Sequence, residues 1–218
     1  MFVGHFGVGL AAKRAAPRLS LGTLFLAVQW ADLLWPVLLL LGLEHVRIVP
    51  GLMRTSALDF TDYPISHSLV SLVGWGLLFA GAYGMRRRDP RGAAVLGLCV
   101  VSHWPLDVLM HRPDMPLAPG VGVRLGLGLW NSVPATLLVE GAMYTIGILL
   151  YLRATRAADR VGTWSFAVLV ALLAALWLAA LFGPPPPDEK TLGYSGLAGW
   201  LLLPWAYWID RHRQERAT

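Results

Sequence analysis

The chain contains 218 residues, of which 56% are hydrophobic and only 14% are charged. Soluble domains carry about 25% charged residues, so this chain has too little charge to cover a water-exposed globular surface. Its single cysteine, Cys99, excludes a disulfide-stabilised scaffold. The composition therefore predicts an integral membrane protein. In such a protein the net charge of +5 reflects topology and lipid head groups and does not indicate a nucleic-acid partner.

The apolar stretches, taken in chain order, predict the membrane-embedded segments. The first, Met1–Ala12, is too short to span a bilayer and is followed by Lys13, so we predict a half-helix that leaves the membrane there. A spanning helix needs about 20 mostly apolar residues. Six later stretches meet this requirement: Ser20–Leu43, Pro64–Gly84, Gly92–Met110, Leu129–Leu152, Val161–Gly183 and Thr191–Ile209.

The basic residues between these stretches predict the orientation. Thirteen of the 18 lysines and arginines fall on one side of the predicted membrane and five on the other. Because basic residues are enriched on the cytoplasmic side, both termini are expected in the cytoplasm. The fold class is thus all-α: a polytopic membrane protein with about six transmembrane helices and a short N-terminal half-helix. Residues 1–218 are expected to form one integral membrane domain, with no separate soluble domain.

Ionisable side chains inside the predicted segments point to a function, because burying such groups in a bilayer is costly. At about 1.5 Å rise per residue, their depths run from about 12 Å below the cytoplasmic surface to about 28 Å. They therefore converge on the middle and outer half of the membrane. The set comprises His5, Asp32, His67, His103, Asp107 and Glu140.

The spacing of two of these residues indicates a metal site. His103 and Asp107 are four positions apart, which places them on one face of a helix. Imidazole nitrogen with carboxylate oxygen is the ligand chemistry of zinc, iron or manganese. A metal would also explain how several acids are tolerated in a low-dielectric environment. The alternative for each residue is a structural role: a helix-packing histidine, or an acid hydrogen-bonded to serine or backbone.

Four short stretches occur in an order that resembles a known family. They are Gly4-His5, Ala31-Asp32-Leu33-Leu34-Trp35-Pro36, Asp62-Tyr63-Pro64-Ile65-Ser66-His67-Ser68 and Ser102-His103-Trp104-Pro105-Leu106-Asp107. Together they resemble the motifs of the YdjM-like membrane-bound metal-dependent hydrolases, a bacterial inner-membrane family. Two positions depart from that pattern: Leu34 stands where the family has a second aspartate, and Asp62 stands where it has a histidine.

The resemblance implies a metal-dependent hydrolase in the bacterial inner membrane. The expected ligands are His5, Asp32, His67, His103 and Asp107, holding one or two divalent ions. Zinc is the first expectation, with manganese or iron as alternatives. Glu140 or Asp62 is the candidate general base, since a carboxylate with a raised pKa can accept a proton. The depth of the cluster favours an amphiphilic, lipid-like or phosphoester substrate.

Two other functions fit the same residues. A transporter or channel for metal ions or protons also uses intramembrane histidines and acids. A scaffold with a structural metal is the third hypothesis. Membrane lipids are expected partners in every case, and the glycines of the Pro64–Gly84 segment are suited to close helix contacts, so a homodimer is allowed.

Overall fold

The computed structural model describes residues 1–216, which are mostly helical. The ten α-helices described are α1 (Val3–Ala15), α2 (Leu21–Val28), α3 (Trp30–Leu40), α4 (Pro64–His67), α5 (Leu69–Arg87), α6 (Pro90–Met110), α7 (Val133–Ala154), α8 (Arg160–Phe182), α9 (Glu189–Leu197) and α10 (Leu202–Arg211). Two 3₁₀ turns cover Leu129–Asn131 and Ala198–Leu201. Three antiparallel strand pairs join β1 (His45–Ile48) to β2 (Leu58–Asp62), β3 (Met115–Pro116) to β4 (Arg124–Leu125), and β5 (Thr155–Ala157) to β6 (Arg213–Glu215).

Four helices are long and apolar enough to cross a membrane: α5, α6, α7 and α8. A fifth crossing exists if α2 and α3, which meet at a 56° bend, form one broken span. The all-α prediction is therefore confirmed for the described residues, with four to five candidate spanning helices.

The last predicted span, Thr191–Ile209, is not one helix. It is divided among α9, the Ala198–Leu201 3₁₀ turn and α10, so the count of six spans is not confirmed. Glycine disfavours helix by about 1 kcal/mol relative to alanine, and this segment contains Gly193, Gly196 and Gly199. A Cβ at Gly196 would lie 2.6 Å from the Pro36 side chain, so the glycine allows α9 to pack directly on α3.

The predicted Pro64–Gly84 span is interrupted near its start. Helix α4 ends at His67, and Ser68 adopts an extended conformation before α5 begins. The Ser68 hydroxyl accepts a hydrogen bond from the backbone nitrogen of Ser71, so it caps α5. His67 thus lies on a separate short helix whose direction is not set by the long helix after it.

The N-terminal half-helix α1 packs along α7 at very short range. A Cβ at Gly7 would lie 2.6 Å from the Met143 carbonyl oxygen, and a Cβ at Gly147 would collide with the Gly7 backbone. Small residues at such contacts let two helix backbones approach each other. Through this contact α7 positions α1, which carries His5.

Two apolar clusters form the interior. One joins residues of α2, α3, α5, α6 and the β1–β2 hairpin, and the other joins α1, α2, α7, α8 and α10. Helix α2 contributes to both clusters, with Leu24 in the first and Phe25 in the second. At one end of the molecule, Lys13 pairs with Asp210 at 3.2 Å and strand β5 pairs with β6. The basic ends of α1, α7 and α10 therefore lie together.

We expect Gly147→Ala to destabilise the protein, because its methyl group would push α7 away from Gly7. Overpacking of this kind costs about 1–3 kcal/mol. The measurement is the midpoint of thermal unfolding in detergent. The control is Gly122→Ala in the loop between β3 and β4, where a Cβ would have no neighbour within 4 Å. Equal midpoints for the two variants would contradict the close α1–α7 contact.

Candidate metal centre

Helix α6 presents His103 and Asp107 on one face, as their spacing predicted. Both side chains are buried, and His103 Nε2 lies 3.1 Å from Asp107 Oδ2. The two residues therefore form a His–carboxylate pair inside the helical bundle.

His5 reaches this pair from α1. Its Nε2 atom lies 3.1 Å from Asp107 Oδ1, and its ring stacks on the His103 ring with the centroids 3.7 Å apart. The backbone nitrogen of Met1 also lies 2.5 Å from Asp107 Oδ1. Each oxygen of Asp107 therefore faces a different histidine.

Asp32 and His67 complete the cluster from the opposite side. Asp32 lies in the first turn of α3, immediately after the bend, and its side chain is 37% exposed. Asp32 Oδ1 lies 3.5 Å from His67 Nε2 and 3.7 Å from His103 Nε2. His67 Nε2 is 3.9 Å from Asp107 Oδ2.

The structure thus brings together all five residues predicted as metal ligands. They form two groups of three that could each hold a metal ion and that share His103: His5 with His103 and Asp107, and Asp32 with His67 and His103. Within each group, one ligand atom per residue lies within 4.8 Å of the others.

The break between α2 and α3 orients His103. A continuous helix would use the Val28 carbonyl for its own backbone, but the carbonyls at a helix C-terminus lack intrahelical partners. His103 Nδ1 lies 2.9 Å from this oxygen, which can only accept, so Nδ1 carries the proton. The Nε2 lone pair is then directed at the carboxylates, as in metal-binding histidines.

His67 is oriented by Ser66 and by Glu44, a residue that the sequence did not single out. Glu44 is fully buried and accepts hydrogen bonds from the Ser66 hydroxyl at 2.5 Å and from the backbone nitrogens of Ile65 and Ser66. Because the Ser66 hydroxyl donates to Glu44, its oxygen accepts from His67 Nδ1 at 2.7 Å. This leaves the Nε2 lone pair of His67 facing Asp32.

Buried nitrogens without partners fit a metal ligand set. Within residues 1–216, His103 Nε2 and His5 Nδ1 are buried and make no hydrogen bond. His103 Nε2 nevertheless lies 3.1 Å from a carboxylate oxygen of Asp107 and 3.7 Å from one of Asp32. Leaving such an atom unsatisfied costs about 1–3 kcal/mol. The donor chemistry and the unpaired His103 Nε2 therefore suit an ion, for which this nitrogen would be a ligand.

The two predicted general bases belong to neither of these metal-binding groups. Glu140 is buried beside the cluster, where its Oε2 accepts a hydrogen bond from the backbone nitrogen of Phe2 at 2.7 Å. This contact holds the start of α1. Asp62 is exposed at the end of β2, opposite His45 in the strand pair. The structure does not bring Asp62 into the cluster.

A cavity of about 760 Å³ opens beside the cluster. Asp32, His67 and Asp107 form part of its wall, and most of the remaining wall is apolar, including Leu172 and Leu176 of α8. This volume is in the range of pockets that bind small molecules. The cavity combines a polar end, formed by the cluster, with an apolar body.

A second polar network lies next to the cavity, at the end of α6. Asp114 Oδ1 accepts hydrogen bonds from His111 Nδ1 at 3.0 Å and from the Tyr63 hydroxyl at 3.2 Å. Burial, followed by the nearby Asp114 charge, raises the pKa of Tyr63 well above its usual range. Burial likewise lowers the pKa of His111. Burial therefore favours the uncharged Tyr63 hydroxyl and the uncharged His111 imidazole, whereas the hydrogen bond from His111 to Asp114 raises the pKa of His111.

The fold and the cluster define the class: a mostly helical protein with helices long enough to cross a membrane and a His/Asp group that could hold a metal ion. The chain matches no protein-family model, no curated protein and no solved structure.

We expect Ser66→Ala to weaken metal binding without unfolding the protein, because it removes the hydrogen-bond partner that orients His67. Loss of such an outer contact typically costs 10–100-fold in metal affinity. The measurement is competition for zinc with a chromogenic chelator.

Ser102→Ala is the matched control for this variant. Ser102 precedes His103 as Ser66 precedes His67, but its hydroxyl donates to the Cys99 carbonyl at 2.7 Å. Equal zinc affinities for the two variants would contradict the assigned role of Ser66.

Proposed function

We propose that this protein is an intramembrane metal-dependent hydrolase that acts on a lipid-like ester or phosphoester. The observation that carries the proposal is the five-residue His/Asp cluster at the polar end of a mostly apolar cavity. The resemblance to the YdjM-like hydrolases points to the same chemistry, since its motif residues are the five that converge.

The spacing of the ligand atoms supports zinc. Ligands at about 2.0–2.1 Å from a tetrahedral ion lie about 3.3–3.4 Å apart. Asp32 Oδ1 lies 3.5 Å from His67 Nε2 and 3.7 Å from His103 Nε2. Catalytic zinc sites use three protein ligands and keep one position open. Because Asp32 and His67 line the cavity, a metal held by them would be accessible to a substrate bound there.

Asp107 would complete this arrangement. Its Oδ2 atom lies 3.1 Å from His103 Nε2, and its Oδ1 atom lies 3.1 Å from His5 Nε2. Asp107 would thus help to hold the metal together with His5 and His103, which face its two oxygens. We therefore assign His5 and Asp107 to the same centre, which would hold one or two metals. Manganese or iron would use the same donor set.

The metal, when bound, would polarise the ester or phosphoester and lower the pKa of a bound water. The residues of the chain would hold that ion and exclude bulk water. His67 and His103 would donate Nε2 lone pairs because their Nδ1 protons are committed to Ser66 and Val28. The apolar wall would bind the hydrocarbon part of the substrate.

The proposed location is the bacterial inner membrane, with six crossings and both termini in the cytoplasm. The packing of Lys13 against Asp210 and of β5 against β6 supports one common basic end. Leu172 and Leu176 of α8 are partly exposed and also line the cavity, so an amphiphile would enter from the bilayer. Gly74 and Gly81 leave open space on α5, which suits a homodimer contact.

The first test measures metal and hydrolysis in detergent-purified protein. We expect one or two equivalents of zinc per chain, and metal-dependent hydrolysis of p-nitrophenyl palmitate or hexadecyl p-nitrophenyl phosphate. His103→Ala and Asp107→Ala should lose both the metal and the activity. His45→Ala, which changes an exposed histidine of β1, is the control and should retain both.

The other possible outcomes would reject the proposal or indicate a different function for this protein. Absence of stoichiometric metal from the wild type would overturn the proposal. Bound metal with ion flux in proteoliposomes, but no hydrolysis, would indicate the transporter. Bound metal with neither activity would indicate a structural role.

The cavity yields a separate prediction about chain length. Leu176→Trp would fill the apolar body of the cavity, so it should lower kcat/KM for p-nitrophenyl palmitate at least about tenfold, the order expected for losing a methylene contact. Hydrolysis of p-nitrophenyl butyrate should change little.

Leu178→Trp is the matched control, because Leu176 and Leu178 are both 44% exposed on α8 but Leu178 is not part of the cavity wall. Equal losses for the two variants, or equal losses on the two esters, would show that the cavity does not bind the chain.

A further inference from the structure

Hydrolysis by the proposed centre requires a group that accepts a proton from water. The structure places such a group beside the cluster, and it is neither of the two general bases predicted from the sequence. Glu140 is bound to the Phe2 nitrogen, and Asp62 is exposed on β2. Neither belongs to the wall of the cavity beside the cluster. A buried histidine, His111, does.

His111 follows the ligand residues along α6. It comes four positions after Asp107 and eight after His103, and its backbone nitrogen still donates to the Asp107 carbonyl at 2.8 Å. The helix ends here because the residue before a proline disfavours helical conformation, and Arg112 precedes Pro113. The side chain of His111 therefore lies about one turn beyond Asp107, on the same side of the helix.

The orientation of the His111 ring is set by Asp114. Nδ1 lies 3.0 Å from Asp114 Oδ1, which as a carboxylate oxygen accepts, so the proton is on Nδ1 and the lone pair on Nε2. Within residues 1–216, no hydrogen bond involves Nε2. The ring packs between Phe60 and Trp130, which also line the cavity, with centroid distances of 4.9 and 4.3 Å.

Asp114 is itself held in place. The Tyr63 hydroxyl donates to Oδ1 at 3.2 Å and Arg112 Nε donates to Oδ2 at 3.3 Å. Arg112 also pairs with Asp59 of β2, and Asp59 pairs with Arg47 of β1 at 2.6 Å. A carboxylate fixed by several donors and bonded to the Nδ1 proton of a histidine is the arrangement that fixes the tautomer of a general base.

We propose that His111 is the proton acceptor of the hydrolysis, with Asp114 as the residue that positions it. This inference rests on the hydrolase function proposed above. Nε2 takes a proton from a water molecule while the water oxygen forms its bond to the carbonyl carbon or phosphorus. The ester bond to the leaving oxygen then breaks, and the proton passes from Nε2 to that oxygen. Acid and alcohol are released, and His111 is neutral again.

The test compares His111→Ala and His111→Gln with the wild type, using p-nitrophenyl palmitate or hexadecyl p-nitrophenyl phosphate, whichever the wild type hydrolyses. Glutamine retains an N–H group for Asp114 but cannot accept the proton. We expect kcat to fall about 10²–10⁴-fold in both variants, the usual contribution of general base catalysis. KM and bound zinc should remain at wild-type values.

Two further measurements separate catalysis from structure. Free imidazole should restore part of the rate of His111→Ala and none of the rate of His111→Gln, since only the alanine leaves space for it. Asp114→Asn should lower kcat less than His111→Ala and leave bound zinc unchanged. His45→Ala, an exposed histidine outside the cavity, is the control.

The results that would reject His111 as the proton acceptor differ from those that would reject the hydrolase function. Wild-type kcat in both His111 variants would reject the proton acceptor and leave the hydrolase intact. Loss of zinc from both variants would make His111 a metal ligand and reject its role as a base. A wild type that binds zinc but hydrolyses neither probe would overturn both proposals.

Discussion

The burial of the Asp107 carboxylate is the constraint on which the rest of the structure depends. A carboxylate inside an apolar bundle is tolerated only when partners surround it. Its Oδ1 faces His5 and the Met1 nitrogen, and its Oδ2 faces His103 and His67. These partners come from the α1 segment, from α4 and from α6 itself, so satisfying one side chain requires α1, α4 and α6 to converge.

That convergence depends on places where regular helix stops. The bend after Val28 releases a carbonyl for His103 and places Asp32 in the first turn of α3. The end of α4 at His67 separates that histidine from α5, and Glu44 satisfies the backbone nitrogens at the start of α4. Uninterrupted spanning helices would have left these backbone groups paired internally and the side chains unsupported.

The sequence predicts the cluster well because polar residues inside apolar segments are conspicuous, and His5, Asp32, His67, His103 and Asp107 all stand out in this way. The sequence also predicts α6 and α8, because each forms from a continuous apolar stretch long enough to span a membrane. It does not predict the break in the last segment, where α9 packs on α3 through Gly193 and Gly196. Nor does it identify Glu44, because polar residues between apolar segments are ordinary in a membrane protein. His111 continues the four-residue spacing of His103 and Asp107, but its place near the outer surface predicts a loop residue. Burial of Glu44 and His111 results from the β1–β2 hairpin and the α6 end folding over the cluster.

Helix α6 explains why the metal ligands His103 and Asp107 and the proton acceptor His111 lie close together beside one cavity. His103 and Asp107 lie on one face of α6, and His111 directly follows the helix with its backbone nitrogen bonded to the Asp107 carbonyl, so α6 fixes the positions of all three residues. The partners of these side chains, in contrast, come from different elements: the α2 carbonyl for His103, α1 for Asp107 and the loop residue Asp114 for His111. A displacement of α1 would therefore alter the ligand site and leave the His111–Asp114 pair in place, because that pair is anchored to β1 and β2 through Arg112, Asp59 and Arg47. Metal binding and proton transfer are thus physically separable in this fold, although His111 directly follows the helix that carries His103 and Asp107.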